Sequence, residues 1–257
     1  MKAKKSLGQH FLRSTRALEK IIEAGKLSVE DIVLEIGPGQ GVLTERLVEK
    51  VKKVIAVEKD DELFSNLKEK FKEETNSGQL ELIHDDILNL STSDLQTYKL
   101  VANIPYNITG AILEKFLSAE SQPEKMVLLV QKEVAERIVA RDGKESILSV
   151  SVKAYGTPLY IDRVLAGSFV PAPQVDSAII SIESISKRFF QNFSEKEFFT
   201  LLKAGFSSKR KKLSSNLSNY GKEEVGEAFQ KLNLDENTRA EELNVENWQK
   251  LAEILIK

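Results

Sequence analysis

From Glu30 to about Ser184 the chain alternates short apolar runs with amphipathic stretches. Asp31-Ile-Val-Leu-Glu-Ile36 reads as a buried strand that breaks at Gly37, residues 42–51 as a helix, and Val54-Ile-Ala-Val57 as a second strand. Over residues 60–72, Leu63, Leu67 and Phe71 recur every four positions, which predicts an amphipathic helix. Further strands are predicted at 80–83, 99–102 and 126–130, and further helices at 111–117, 132–140 and 147–154. Short strands separated by helices imply right-handed crossovers and a mostly parallel sheet. Residues 158–165 and 177–183 are strand-like runs flanking a loop with Pro171 and Pro173. That loop is too short for a helical crossover, so these two strands are expected to be antiparallel. Beyond Lys187 the pattern turns polar and helix-periodic, with Phe198, Phe199, Leu202 and Phe206 on one apolar stripe and Val245, Trp248, Leu251, Ala252 and Leu255 on another. The expected organisation is an α/β domain at residues 1–186, a doubly wound sheet with an antiparallel last strand, followed by a small all-helical domain at 187–257.

Composition narrows the chemistry. No apolar run reaches the roughly 18 residues needed to span a bilayer, and no apolar signal core follows the basic N-terminus, so a cytoplasmic protein without a membrane partner is expected. The chain has no cysteine, which removes disulfides, thiolate metal sites and cysteine nucleophiles together. With only His10 and His84, no metal site is expected. The net charge of -2 does not itself suggest a polyanionic partner. Its distribution does: residues 1–16 hold Lys2, Lys4, Lys5, Arg13 and Arg16 without an acid, and residues 203–213 hold Lys203, Lys209, Arg210, Lys211 and Lys212 without one. A basic cluster is commonly a solvated face. Two of them on an otherwise acidic chain favour a localised phosphate-binding surface.

Glu35-Ile-Gly37-Pro-Gly39-Gln-Gly41 follows a strand and precedes a helix. Such a turn serves either a tight connection or close backbone approach to a nucleotide-like ligand. Glu58 ends the second strand, where a carboxylate can accept both hydroxyls of a ribose. Asp86, with Asp85 as its rival, lies past the third strand, where an acid can meet the exocyclic amine of an adenine. The glycines are spaced at two-residue intervals rather than as Gly-x-Gly-x-x-Gly, and an acid precedes them. That pattern suits a cationic nucleoside such as S-adenosylmethionine better than a pyrophosphate.

Asn103-Ile-Pro-Tyr106 follows the fourth strand. The Asn103 side-chain oxygen and a backbone carbonyl of Ile104 or Pro105 can accept both hydrogens of an aromatic amine, drawing its delocalised lone pair toward sp3 geometry. Pro105 stiffens the turn, and Tyr106 offers a stacking face for a base taken out of its helix. A plain strand-to-helix turn would carry the same residue types. Phe169-Val-Pro-Ala-Pro-Gln-Val-Asp-Ser-Ala178 adds an aromatic on a stiffened loop; Phe169 can stack a base or anchor the loop in the core.

With these motifs placed, the sequence resembles the rRNA adenine N6-dimethyltransferase family over nearly its whole length, most closely the bacterial small-subunit branch linked to kasugamycin sensitivity. The resemblance implies a Rossmann-like class I methyltransferase fold. Ser6-Leu-Gly-Gln-His-Phe-Leu12 resembles the family's opening motif, which closes over the cofactor's methionine end; it implies cofactor contacts from His10 and Leu12, with Gln9 close by. Glu35, Gly37 and Gly39 resemble its glycine loop, Glu58 its ribose acid and Asp86 its adenine contact. Asn103, Pro105 and Tyr106 resemble its catalytic motif, with Asn103 also near the cofactor, and Phe169 its second base clamp. Gln131-Lys-Glu-Val-Ala-Glu-Arg137 resembles the family's helix after the fifth strand. Leu7-Gly8-Gln9-His10, Phe206 to Leu213 with Asn216 and Leu217, and Arg239 to Leu243 favour the small-subunit branch over the large-subunit methylases of macrolide resistance. The implied substrate is a pair of adjacent adenosines in a hairpin loop near the 3′ end of 16S rRNA, within the immature small subunit. A monomer is expected, with a basic helix near Lys209, Arg210, Lys211 and Lys212 binding RNA. An assembly factor whose methylation is secondary, and a methylase of a small amine, are the competing readings. The chain departs from the family where Glu145-Ser146 replaces a common Tyr-Gly, which bears on the start of the following helix. The 209–212 block also carries one Arg only, which limits bidentate phosphate contacts.

Overall fold

The computed structural model of the chain describes residues 9–93, 95 and 97–256. Strand β1 (Phe11–Leu12) leads into α1 (Thr15–Gly25), then β2 (Ile32–Ile36), α2 (Val42–Val48), β3 (Lys53–Glu58), α3 (Asp61–Lys70), α4 (Lys72–Ser77) and β4 (Leu80–His84). There follow β5 (Lys99–Asn103), α5 (Thr109–Leu117), β6 (Lys125–Gln131), α6 (Lys132–Val139), α7 (Ile147–Lys153), β7 (Thr157–Val164), β8 (Phe169–Val170) and β9 (Ser177–Glu183). The remaining helices are α8 (Glu195–Gly205), α9 (Leu213–Asn216), α10 (Lys222–Lys231) and α11 (Val245–Leu255). Two units emerge from the contacts. One holds the described residues up to Ala135 together with Thr157–Ile185; the other holds Glu136–Gly156 and the described residues from Ser186 onward.

The first unit is built on a seven-stranded sheet in the order β4-β3-β2-β5-β6-β9-β7. Neighbours from β4 to β6 are parallel, whereas β9 runs antiparallel to both β6 and β7. Central strands buried on both faces need apolar side chains at nearly every position. Accordingly Val33, Leu34 and Ile36, Val54 to Val57, Leu100 to Ala102 and Met126 to Val130 are all buried. The sheet turns outward in both directions from β2, with β3 on one side and β5 on the other, which opens a crevice at the carboxyl ends of these strands.

Helix α1 is an element that the sequence pattern left unassigned. Ser14 caps it by accepting from the Ala17 amide, and it packs across β6, β7 and β9, burying Ala17, Leu18 and Ile21. The helix expected at 60–72 is interrupted: α3 stops at Lys70, Phe71 adopts a non-helical ψ of 36° with its ring in the core, and α4 begins afresh.

The second unit is all helical, with Val150, Ala154, Phe198, Leu202, Trp248 and Leu251 in one core. Its extent differs from the boundary expected at residue 187. Residues 136–156 belong to it because Val150 and Ala154, on or just after α7, pack among the C-terminal helices. The unusual Glu145-Ser146 pair is what starts α7. The Ser146 hydroxyl accepts from the Ser149 amide, the Ser149 hydroxyl closes a reciprocal capping box, and Glu145 pairs with Lys153.

Among the described residues no helix is long and apolar enough to cross a membrane, and no group of three or more acids and histidines could hold a metal ion.

Candidate active site

The carboxyl end of β2 opens into the loop Gly37–Gly41. Gly39 and Gly41 adopt left-handed φ of 59° and 75°. A Cβ on Gly41 would stand 2.5 Å from a ring carbon of Phe71, and one on Gly39 would stand 3.2 Å from the Phe11 ring. The loop is therefore held between two aromatic side chains that only glycine lets approach. The Gly37 amide donates to the Val57 carbonyl at 2.9 Å, tying the loop to β3.

At the end of β3, Glu58 spans this loop and the next helix. Its Oε2 accepts from the Gly39 amide at 3.1 Å and its Oε1 from the Asp60 amide at 2.9 Å. Burial pushes its pKa up, and those two amides oppose the rise. Each oxygen retains a lone pair for a hydroxyl donor. Asp60 caps α3 and accepts from Gln9 Nε2 at 3.2 Å.

Glu35 is 1% exposed, on the same strand as the loop's approach, and accepts from the Thr44 hydroxyl at 2.7 Å. Burial raises its pKa to about 8; the Thr44 bond opposes this, and the nearby Glu58 charge adds to it. The acid that precedes the glycine loop is thus a carboxyl that keeps its proton at neutral pH and becomes an anion when a cation comes beside it. Asp86 is the reverse case. Lys59 lies 2.8 Å from its Oδ2 and holds its pKa below the usual carboxylate range, with help from the Leu88 amide on Oδ1. Asp85 accepts from the Asp86 amide at 2.6 Å, and both acids face the same cleft.

Asn103 ends β5, and Pro105 leads into a short 3-10 turn at Tyr106–Ile108. The Asn103 Nδ2 donates one of its two hydrogens to the His10 carbonyl at 3.2 Å, which orients the amide and presents Oδ1 as an acceptor. The Tyr106 hydroxyl meets the Ser177 hydroxyl at 2.6 Å, and its ring stacks on His10 with centroids 5.7 Å apart and planes 19° from parallel. His10 in turn lies with Nδ1 2.8 Å from the Pro171 carbonyl, so Nδ1 carries the proton of that bond. Residues 9–12 are thus strapped across the site, and β1 pairs with β8, Phe11 opposite Val170 and Leu12 opposite Phe169. Ser6, Leu7, Gly8, Lys2, Lys4 and Lys5 lie outside the described residues.

A cleft of about 250 Å³ joins Gln9, His10, Leu12, the Glu35–Gly39 loop, Glu58, Asp86 and the Asn103–Tyr106 turn. Phe169 is not among its walls. It is 2% exposed and packs in the core beneath the sheet, because its place opposite Leu12 turns it inward. A ring so enclosed anchors its loop and has no free face for a base in this arrangement. Lys209, Arg210, Lys211 and Lys212 are exposed, but on a turn between α8 and α9, not on a helix. Asn216 holds that turn by donating to the Gly205 and Ser208 carbonyls. Sequence reasoning passed over Phe11, Lys59 and Ser177; Ser177 stood inside the quoted Phe169–Ala178 segment, yet nothing in the sequence showed that it meets Tyr106.

The sequence pattern of the ribosomal RNA adenine dimethylase family matches residues 1–257. The chain is 44% identical over 258 residues to ribosomal RNA small subunit methyltransferase A of Dehalococcoides mccartyi, covering 98% of this chain and 88% of that one. Among solved structures it is similar to a dimethyladenosine transferase from Plasmodium falciparum, with 30% identity, a TM-score of 0.81 and coverage of 94% and 96% of the two chains. It is also similar to the 23S rRNA methyltransferase ErmE, with 25% identity, a TM-score of 0.78 and coverage of 96% and 100%. The seven-stranded sheet with its antiparallel β9 is the class I methyltransferase fold.

Proposed function

The chain belongs to the ribosomal RNA adenine dimethylase family, and from that premise we propose that it methylates N6 of two adjacent adenosines in a hairpin loop near the 3′ end of small-subunit rRNA, using S-adenosylmethionine. It is an enzyme, an rRNA adenine dimethyltransferase of the small subunit. The observation that carries the finer reading is the single cleft joining nucleoside-type acids on β2 and β3 to the Asn103–Tyr106 turn on β5.

The donor set fits the cofactor. Glu58 keeps a lone pair on each oxygen for a ribose diol, Asp85 and Asp86 flank the position of an adenine, and Glu35 is poised to ionise beside a cation. When bound, S-adenosylmethionine supplies an electrophilic methyl group on a sulfonium. Asn103 Oδ1 and the carbonyl of Ile104 or Pro105 would accept the hydrogens that adenine N6 carries, two before the first transfer and one before the second, and so free its lone pair, while Tyr106 holds the base plane; the proton displaced by each methyl passes to solvent. The chain's contribution is orientation and hydrogen bonding rather than a strong base. Lys209 to Lys212 grip phosphates of RNA outside the base site, and the helical unit serves RNA or subunit recognition. The immature small subunit is the substrate form, met in the cytoplasm.

The test supplies labelled S-adenosylmethionine with immature small subunits, large subunits or naked rRNA, and maps the product. Dimethyladenosine at two neighbouring positions of small-subunit rRNA is expected. Label confined to large-subunit RNA would move the enzyme to the macrolide-resistance type, and label absent from every adenosine would sink the reading.

A further inference from the structure

Ser177 is the first residue of β9, and none of its surface is exposed. It is paired on both sides, opposite Gln131 on β6 and Val164 on β7. The preceding residue fixes it further. Asp176 accepts from Arg163 Nε at 2.9 Å and from the Ala166 amide at 2.8 Å, and its carbonyl accepts from the Lys132 amide at 2.9 Å.

Tyr106 is in the opposite situation, on a three-residue turn beyond the end of β5. A tyrosine ring has two side-chain torsions, and a bond at the hydroxyl, the end farthest from the backbone, restrains both. His10 covers one face of the ring. The side chain is half-buried, and burial pushes the phenol's pKa up, so an unpaired hydroxyl there carries a desolvation cost. Its partner sits in an apolar strand, followed by Ala178, Ile179 and Ile180, where a hydroxyl is otherwise out of place. Ser181, four residues on, shows what an idle one looks like: its buried hydroxyl has no partner.

We propose that Ser177 is a positioning residue of methyl transfer, tethering the Tyr106 hydroxyl so that the ring face away from His10 is held at the angle at which it receives the target adenine. The inference rests on the reading that Tyr106 stacks that base. It also gives the serine near the end of the Phe169–Ala178 segment a task distinct from that of Phe169, which anchors the same loop.

Ser177→Ala, Tyr106→Phe and the double variant are compared with the unaltered enzyme on immature small subunits, together with Ser177→Thr. A hydrogen bond used for orientation lowers kcat by roughly threefold to tenfold when either partner is removed. Calorimetric affinity for S-adenosylmethionine stays unchanged. Because both single changes break the same bond, the double variant is no slower than either, and Ser177→Thr recovers most of the rate. A merely structural serine predicts a kcat that Tyr106→Phe does not move, and losses that multiply in the double variant would mean that the two residues act independently; either result overturns the tether. If Ser177→Ala does not fold, Tyr106→Phe still decides, because it breaks the same bond without altering β9. Tyr106→Ala separates the two layers of argument. If it abolishes transfer while Tyr106→Phe matches the unaltered enzyme, stacking stands and the tether falls. If Tyr106→Ala transfers normally, the stacking reading itself is wrong and the tether goes with it.

Discussion

Replacing Glu35 by Gln should make the protein more stable than the unaltered chain, and increasingly so as the pH rises. In the folded protein this carboxyl titrates at about 8, against an ordinary value of 4.5. Between those values the folded state holds a proton that the unfolded state has released, so stability falls as pH rises from 4.5 and levels off above about 8. One-site linkage with these values gives a loss of about 2 kcal/mol by pH 6 and about 5 kcal/mol by pH 9, hence a change of about 3 kcal/mol across that interval. Gln keeps an oxygen for the Thr44 hydroxyl but has no proton to lose, so its own curve lacks this component. The gap between the two proteins should therefore widen by about 3 kcal/mol, or roughly 5–10 °C in Tm for a unit of this size. Glu58 is also raised, but it is present in both proteins and drops out of the difference to first order. The sole tryptophan, Trp248, belongs to the helical unit and would report on the wrong core. Urea unfolding followed by far-ultraviolet circular dichroism at pH 6, 7.5 and 9 follows the secondary structure of both units, and the transition of the sheet unit is the one that moves with pH. A gap that stays constant within about 0.5 kcal/mol, the size of an ordinary neutral surface change, would mean that Glu35 is already ionised. The account of it as an acid that charges only beside a cation would then be wrong.

Gly41→Ala should lower stability by at least about 2 kcal/mol, since it combines a left-handed φ with a 2.5 Å encounter with Phe71; an unchanged urea midpoint would refute the packing described. Asn103→Ala should lower kcat by about a hundredfold or more in the subunit assay, as expected for an acceptor that acts on the reacting amine, and a loss confined to KM would contradict that role. Alanine at Lys209, Arg210, Lys211 and Lys212 together should flatten the dependence of log affinity on log salt by up to about 3, measured by filter binding to rRNA; an unchanged slope would remove this turn from the RNA contact. Phe169→Leu should reduce stability by about 1 kcal/mol and leave methyl transfer largely intact. A selective collapse of kcat at normal stability would instead mean that the ring leaves the core to meet the base.

What could be read in the sequence followed from how much burial each element imposes. Strands β3, β5 and β6 show as apolar runs, and β2 as one broken only by Glu35, because both faces are covered; their ends located the glycine loop, Glu58 and Asn103. Helix α1 follows directly on a basic segment and lies ahead of the first strand, outside the alternation of strands and helices that begins at Glu30. Strands β1 and β8 are two residues each, too short for any periodicity, yet their pairing decides that Phe169 turns inward. The sequence marks Glu35 as an acid before a glycine loop, but its protonation depends on the enclosure around it. The reach of the helical unit back to residue 136 is a matter of tertiary packing, since the pattern of α7 suits either unit. The four basic residues are equally legible on a helix or a turn; the Asn216 side chain, eleven residues past Gly205, makes it a turn.

The place of β9 between β6 and β7 has a consequence for how the chain is made. Everything through Ile108 that borders the cleft leaves the ribosome before the strand that completes the sheet. Strand β7 emerges earlier than β9 and, among the described residues, pairs with it and with no other strand, so it does not lie beside β6. From residue 131 until residue 183 appears, β6 exposes an apolar edge with unmet backbone donors and acceptors. At roughly 5–20 residues per second, that is a window of several seconds. A nascent chain stalled there would hold a nearly finished cofactor crevice beside a strand open to pairing with its neighbours, and the last strand to be translated is the one that closes it.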